Sequence, residues 1–247
     1  MTKGVFAVAS DLSAACRWGA VLLVALSALA CDALDGNGDR GEELRRFSSG
    51  FRRVESAGPL HVRVHQGDEP DVRVSIDSNL LSHVTTRVND EALVVDVDVQ
   101  IGERLPGPHV FVTVPMLDAV TLDGSGRVEV GSLSQVEAIA LALDGSGELH
   151  LDGSVSAVDA SLNGSGGMEL GGSAEDVTLT VNGAGSIDAK SLTARTGVLT
   201  LGGSGRLVAT VTDRATASVS GSGVIEVYGG ATVEPVSVTG SGRVARR

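Results

Sequence analysis

The tripeptide Gly-Ser-Gly, varied once to Gly-Ala-Gly, recurs seven times in this sequence and constrains its fold more than any other feature. The first glycines of successive copies are separated by 21, 19, 19, 20, 18 and 19 residues. A repeat of this length is too short to bury its own apolar face, but stacked copies bury a continuous core. The copies begin at Gly124, Gly145, Gly164, Gly183, Gly203, Gly221 and Gly240.

Apolar residues alternate with polar ones on both sides of each tripeptide, as in Leu141 and Leu143 before one copy and Leu149 and Leu151 after it. A period of two indicates a strand, a glycine corner and a second strand. We therefore predict an all-β fold, a single-stranded right-handed parallel β-helix (β-solenoid) with coils of about 19 residues and Gly-Ser-Gly corners. A meander of antiparallel hairpins is the alternative. Parallel stacking is favoured because the turn recurs once per repeat and its flanks keep their type.

Residues 1–30 are typical of a bacterial signal peptide. A positive segment containing Lys3 and Arg17 precedes an apolar run that ends in small residues at Ala28 and Ala30. Cys31 follows directly, so this segment resembles a lipoprotein signal, which implies lipidation of Cys31. Ordinary cleavage after Ala30, leaving a free thiol, is the alternative.

The rest of the chain divides by composition. Residues 31–50 are polar and Gly-rich, and we interpret them as a lipid-anchored flexible tether. Residues 51–247 are predicted to form the β-solenoid, with irregular leading coils at 51–118 and the Gly-Ser-Gly repeats at 119–247.

Three features together resemble a known family. They are the segment from Phe51 to Gly67, the stretch Pro115-Met116-Leu117-Asp118, and the serial Gly-Ser-Gly turns. In these features the chain resembles the GIN-domain family of auto-transporter adhesin heads over about residues 47–247. The resemblance implies an exported, often lipid-anchored protein with a β-helical body, and it brings no site residues with it.

Composition and motifs argue against several functions. The formal net charge of −12 and an aromatic content of 2% disfavour nucleic acid, which needs basic clusters and stacking platforms. The sequence carries neither a nucleophile elbow nor a phosphate-binding loop. We therefore predict no catalytic residue, no cofactor and no metal site.

Stacking predicts two polar columns. The outward position after each corner places Glu169 and Asp188 about 5 Å apart on neighbouring coils. Such a pair attracts a cation or shares a proton, and this spacing also suits a retaining glycosidase. The first column is a candidate weak cation or ligand column: Glu129, His150, Glu169 and Asp188. The second column precedes the corners, where its side chains are predicted to support the turns: Asp123, Asp144, Asn163 and Asn182.

The leading functional hypothesis is a non-enzymatic cell-envelope lipoprotein that presents a rigid β-solenoid for adhesion, binding or scaffolding. Its expected partners are the membrane, through the lipid anchor, and an envelope polysaccharide or protein on the periplasmic or cell-surface face. The alternative is a polysaccharide-active β-helix enzyme that uses the acidic column near Glu169 and Asp188.

Overall fold

The computed structural model describes residues 33–47, 50–102 and 109–247, and this part of the chain is almost entirely β. One 3-10 turn, Leu81–His83, interrupts the strands. The strands are β1 (Arg40–Arg45), β2 (Arg53–Ala57), β3 (His61–Gln66), β4 (Asp71–Asp77), β5 (Val84–Asn89), β6 (Ala92–Val97), β7 (Val110–Val114), β8 (Ala119–Gly124), β9 (Arg127–Gly145), β10 (Glu148–Gly164), β11 (Gly167–Gly183), β12 (Ser186–Gly203), β13 (Arg206–Gly221), β14 (Val224–Tyr228), β15 (Thr232–Gly240) and β16 (Arg243–Arg246).

The repeats stack as predicted, in parallel and in register. Every pairing among strands β8 to β16 is parallel, and equivalent corner glycines face each other in successive coils. The solenoid of about seven turns with a spacing near 19 residues is confirmed, and the hairpin meander is wrong for this region. The right-handedness of the coil stays a prediction. One inward column forms a buried ladder: Leu122, Leu143, Leu162, Val181, Leu201 and Val219.

The glycine corners allow the coils to approach closely. Gly145 has φ +128, which L-residues with a side chain rarely adopt, and a Cβ there would lie 2.5 Å from the carbonyl oxygen of Gly124 in the neighbouring coil. That oxygen accepts hydrogen bonds from the backbone N–H groups of Ser146 and Gly147, each at 3.0 Å. The side chain between the two glycines faces solvent, so serine and alanine both fit.

The leading region does not stack in the order of the sequence. Strands β2 and β3 form a coil between the layer of β6 and β7 and the layer of β8 and β9, pairing in parallel with both. Gly58, at φ +81, turns this coil at the position that Gly124 occupies in the next layer. The chain thus has an eighth corner, without the Gly-Ser-Gly signature. Antiparallel strands β4 and β5 then flank β7 and β6 at this end.

The expected flexible tether over residues 31–50 needs correction over its described part, residues 33–47. Strand β1 pairs antiparallel with β4, and Leu34 forms a parallel bridge with Ile101. The backbone N–H of Asn37 also donates to Asn79 Oδ1 at 3.1 Å. Strand β1 forms because β4 otherwise presents unpaired backbone groups at the sheet edge, and β1 satisfies them.

The opposite end of the solenoid is uncovered. Val236 and Val238 continue the inward columns of the preceding coil, yet they are 46% and 44% exposed because no further layer covers them. The edge strand β16 carries Arg243 and Arg246, and Arg246 donates to the carbonyl oxygen of Val233 at 2.8 Å. Charges at such an edge oppose the addition of another strand. Within the described ranges, no helix has the length and hydropathy needed to cross a bilayer.

Candidate functional site

The strands that follow the corners, here called post-turn strands, carry a groove on their outward face. The groove has a cavity volume of about 620 Å³ and crosses five neighbouring strands, from β3 through β9, β10 and β11 to β12. Its polar lining includes Arg63, His65, Glu129, His150, Asp152 and Glu169. Three of the four predicted column residues, Glu129, His150 and Glu169, line this groove, and Asp188 lies outside its lining.

The structure places the four predicted column residues side by side. Glu129 pairs in register with His150, His150 with Glu169, and Glu169 with Asp188. This adjacency follows from the parallel register, in which each outward position repeats once per coil. The column therefore exists as predicted, but its members differ in their partners.

Glu129 is held by residues that sequence reasoning did not connect to it. Arg63 donates to Glu129 Oε2 from Nε at 2.9 Å and from Nη2 at 2.6 Å, and His61 Nε2 lies 3.0 Å from Oε1. Burial alone would raise the pKa of Glu129, but the hydrogen bonds from Arg63 and the neighbouring His61 outweigh it and lower the pKa. Glu129 is therefore an ionised, structurally engaged carboxylate.

His61 is a largely buried histidine, with its side chain 17% exposed beside Glu129. Burial lowers its pKa, and the adjacent Glu129 only partly offsets this effect. Its backbone N–H donates to His109 Nδ1 at 3.1 Å, and the two imidazole rings meet edge to face with centroids 6.4 Å apart. His61 and Arg63 lie on either side of the buried Val62 on β3. The sequence does not reveal that this strand lies against β9, because the coil is inserted out of sequence order.

His150 links the column to its neighbours. Its Nδ1 lies 3.2 Å from Glu169 Oε2, and its Nε2 lies 3.3 Å from Arg127 Nη1. Arg127 also forms an ion pair with Glu148. Asp188, at the far end of the column, accepts a hydrogen bond from the backbone N–H of Lys190 at 3.0 Å. The column is thus a mixed network of acids and bases.

No metal centre emerges from this arrangement. In the part of the chain that the structure describes, no group of three His, Cys, Asp or Glu side chains has the placement to hold a metal ion. Glu169 and Asp188 remain the pair with adjacent carboxylates, and each has a partner of its own.

The same column contains an ion-pair centre that the sequence did not predict. Glu226 is 5% exposed and lies between Val208 and Ala245 in register. Arg247 donates to its Oε1 from Nη2 at 2.7 Å, and Arg206 contacts its Oε2. The hydrogen bond from Arg247, with the charges of both arginines, lowers the pKa of Glu226 against the effect of burial. These ion pairs attach Arg247 to the coil that carries Glu226.

The column before the corners links neighbouring coils through its side chains. Asn163 Nδ2 donates to Asp144 Oδ1 at 2.7 Å, and Asn182 Nδ2 donates to Asn163 Oδ1 at 3.1 Å. All three side chains are exposed, and Asp123 lies exposed in the same register. The corner N–H groups of Ser146 and Gly147 donate to the glycine carbonyl of the adjacent layer, and a turn-supporting role for the column stays a prediction.

The predicted lipidation site, Cys31, lies outside the described residues.

The architecture defines a β-solenoid whose coils carry a groove across their outward face. The chain belongs to the family described as "Putative auto-transporter adhesin, head GIN domain", whose model matches residues 50–231. The resemblance drawn from the sequence is confirmed. A search of curated proteins finds no significant match.

Solved structures share this fold. A "putative adhesin" from Bacteroides fragilis superposes with a TM-score of 0.78 at 18% identity, covering 87% of this chain and 100% of that chain. A "putative lipid binding protein" from Parabacteroides distasonis gives 0.68 at 22% identity, covering 87% and 99%. A "putative adhesin" from Parabacteroides merdae gives 0.66 at 20% identity, covering 87% and 99%. At these identities the likeness concerns the fold.

Proposed function

We propose that the protein is an exported lipoprotein of the cell envelope that uses its rigid β-solenoid to bind a partner, without catalysing a reaction. The observation that carries this proposal is the membership of an adhesin-head family together with a groove that runs across several coils. The partner class is an envelope polysaccharide or protein.

The coils are suited to present a binding surface because they are rigid. Each coil is hydrogen-bonded to both neighbours along almost its whole length, as in β11 between β10 and β12. The inward side chains form continuous buried ladders. Outward side chains are therefore held at the fixed spacing of neighbouring strands, which pre-organises a surface and lowers the entropic cost of binding.

The proposed anchor is Cys31, acylated after removal of residues 1–30. Leu34, three residues after Cys31 in the sequence, forms a bridge with Ile101, and Asn37 donates to Asn79, so both residues are attached to the solenoid. The lipid would then hold the body close to the membrane surface, on its periplasmic or cell-surface face, because little unattached chain separates them. One acyl chain gives only marginal membrane binding, so stable retention requires more than one chain.

Replacement of Cys31 tests the anchor. Cells expressing Cys31→Ser are expected to release the protein into the soluble fraction and to lose its labelling by radioactive palmitate. Cys16→Ser is the matched control, because this cysteine lies in the segment predicted to be removed, and it should behave as wild type. Membrane retention and labelling of the Cys31→Ser protein would contradict the proposal.

The non-catalytic part of the proposal is tested at the acidic column. The purified protein and its Glu169→Gln, Asp188→Asn double variant are incubated with a panel of envelope polysaccharides, and new reducing ends are measured. Neither protein is expected to release any. Cleavage by the wild type that the double variant lacks would contradict the proposal and establish a polysaccharide-active enzyme.

A further inference from the structure

The groove has the dimensions of an extended peptide. It crosses five neighbouring strands, so four steps of about 4.8 Å give a length of roughly 19 Å. An extended chain advances about 3.3 Å per residue, so five or six residues would fill it. Its volume of about 620 Å³ lies within the range of ligand sites.

At two glycine positions in the groove, a residue with a side chain would cause neither backbone strain nor a steric clash. Neither Gly131 nor Gly171 has a positive φ, and a Cβ would approach no atom closer than 3.7 Å at Gly131 and 3.5 Å at Gly171. Gly172 differs, because it has φ +108 and its Cβ would collide with the carbonyl oxygen of Gly153.

Glycine inside a strand often marks a β-bulge or a place where a ligand or another backbone approaches closely. Gly131 and Gly171 both border register shifts, between β9 and β10 and between β11 and β12, and the absence of a side chain at each position leaves the groove open.

The charges of the groove favour a cationic occupant. The Asp152 carboxylate makes no hydrogen bond or ion pair with any residue in the described ranges, and the Glu169 side chain is 68% exposed with a contact only to His150. Arg63, the one arginine in the lining, is already bound to Glu129. The carboxylates of Asp152 and Glu169 can thus bind a cationic group, whereas Arg63 is already paired with Glu129.

Two other classes of ligand, sugars and metal ions, fit the groove less well. The described lining contains no aromatic ring on which a sugar could stack, and the described residues offer no three-ligand metal group. A lysine or arginine side chain needs only carboxylate acceptors within reach.

We infer that the groove binds an extended cationic peptide segment of five or six residues, with a lysine or arginine side chain between Asp152 and Glu169. This inference rests on the proposed function, because it names the class of partner. The absence of side chains at Gly131 and Gly171 leaves room for the peptide backbone, and the carboxylates of Asp152 and Glu169 bind the cationic side chain.

The test uses the full-length protein, purified from envelopes in detergent, and a fluorescein-labelled hexapeptide of alternating lysine and serine. Binding is followed by fluorescence anisotropy. The wild type is expected to bind this peptide and not its glutamate counterpart, with affinity falling as salt rises from 50 to 500 mM. The double change Asp152→Asn with Glu169→Gln should weaken binding at least 10-fold. The matched charge control is Asp159→Asn, an exposed carboxylate on the other face of the same coil.

A second pair of variants tests the shape of the groove independently of its charge. Gly171→Leu fills the groove and should also weaken binding at least 10-fold. Gly167→Leu, in the same strand, is the control, because its Cβ would meet only Ser186 Oγ at 4.0 Å and it does not line the groove. Both controls should bind within 2-fold of wild type.

Three results would overturn the inference: no binding of the lysine peptide to the wild type, equal loss in the controls, or tighter groove-dependent binding of chitosan oligomers or Ca²⁺. Its failure is separable from failure of the proposed function. If Cys31→Ser still releases the protein from membranes, only the ligand assignment is lost.

Discussion

Alanine at the corner position Gly145 should destabilise the solenoid by about 3 kcal/mol. A positive φ costs a residue with a side chain roughly 1–2 kcal/mol, and Gly145 has φ +128. The new Cβ would also lie 2.5 Å from the Gly124 carbonyl oxygen, and relieving such overpacking costs roughly 1–3 kcal/mol. The lower entropy of the unfolded variant offsets only about 0.4–1 kcal/mol.

Two further alanine variants separate these contributions. Gly147→Ala has no positive φ, but its Cβ would lie 2.6 Å from the Gly126 carbonyl oxygen, so it should cost about 1–3 kcal/mol. Gly167→Ala has open space and an ordinary backbone, so it should be neutral or stabilising by up to about 1 kcal/mol.

The assay is urea denaturation of the purified proteins followed by circular dichroism, with hydrogen exchange at the Ser146 and Gly147 amides as a local measure. Repeat arrays often do not unfold in a two-state manner, so the exchange measurement reports the local stability of the corner separately from global unfolding. If Gly145→Ala unfolds at the same urea concentration as Gly167→Ala, then close stacking at the corner is not what requires the glycine.

Three more changes probe the ladder, the buried ion pairs and the exposed amides. Leu162→Ala should lower the free energy of unfolding by about 2–5 kcal/mol, while Val238→Ala in the same column, exposed at the uncovered end, should lower it by less than about 1 kcal/mol; equal urea midpoints would contradict this. Glu226→Gln should lower the thermal midpoint at pH 7. Because Arg247 holds the folded-state pKa of Glu226 below its ordinary value, the stabilisation is complete above about pH 4.5 and disappears as pH falls through the folded pKa, so a midpoint difference that grows as the pH is lowered below about 4.5 would refute the reasoning. Asn163→Ala should cost at most about 1 kcal/mol by urea titration, because its bonds to neighbouring coils are solvent-exposed; a loss above about 2 kcal/mol would show that the amide column is structural.

The repeat region could be predicted almost entirely from local signals. The spacing of corners such as Gly145 and Gly164 and the period-two alternation around them determine a strand, a corner and the register of the next coil. Those signals are sufficient because each coil contacts only its neighbours. The column through Glu129, His150 and Glu169 follows from the same register.

The partners within the site were not predictable in the same way. Arg63 reaches Glu129 across 66 positions of sequence, because the coil of β2 and β3 is inserted beside β9. The segment around β1 also carries no periodicity that predicts pairing with β4, and its order comes from satisfying an exposed sheet edge.

The sequence by itself thus determined the class of fold, the corner positions of the Gly-Ser-Gly repeats and which residues share an outward column, because glycine conformations and strand alternation are local properties that repeat. Only the tertiary structure decided which charges neutralise one another and which glycines leave free space. Ion pairs such as Arg247 with Glu226, and the open position at Gly171, depend on distances between coils. Those distances arise only when the layers are assembled, in an order that differs from the order of the chain.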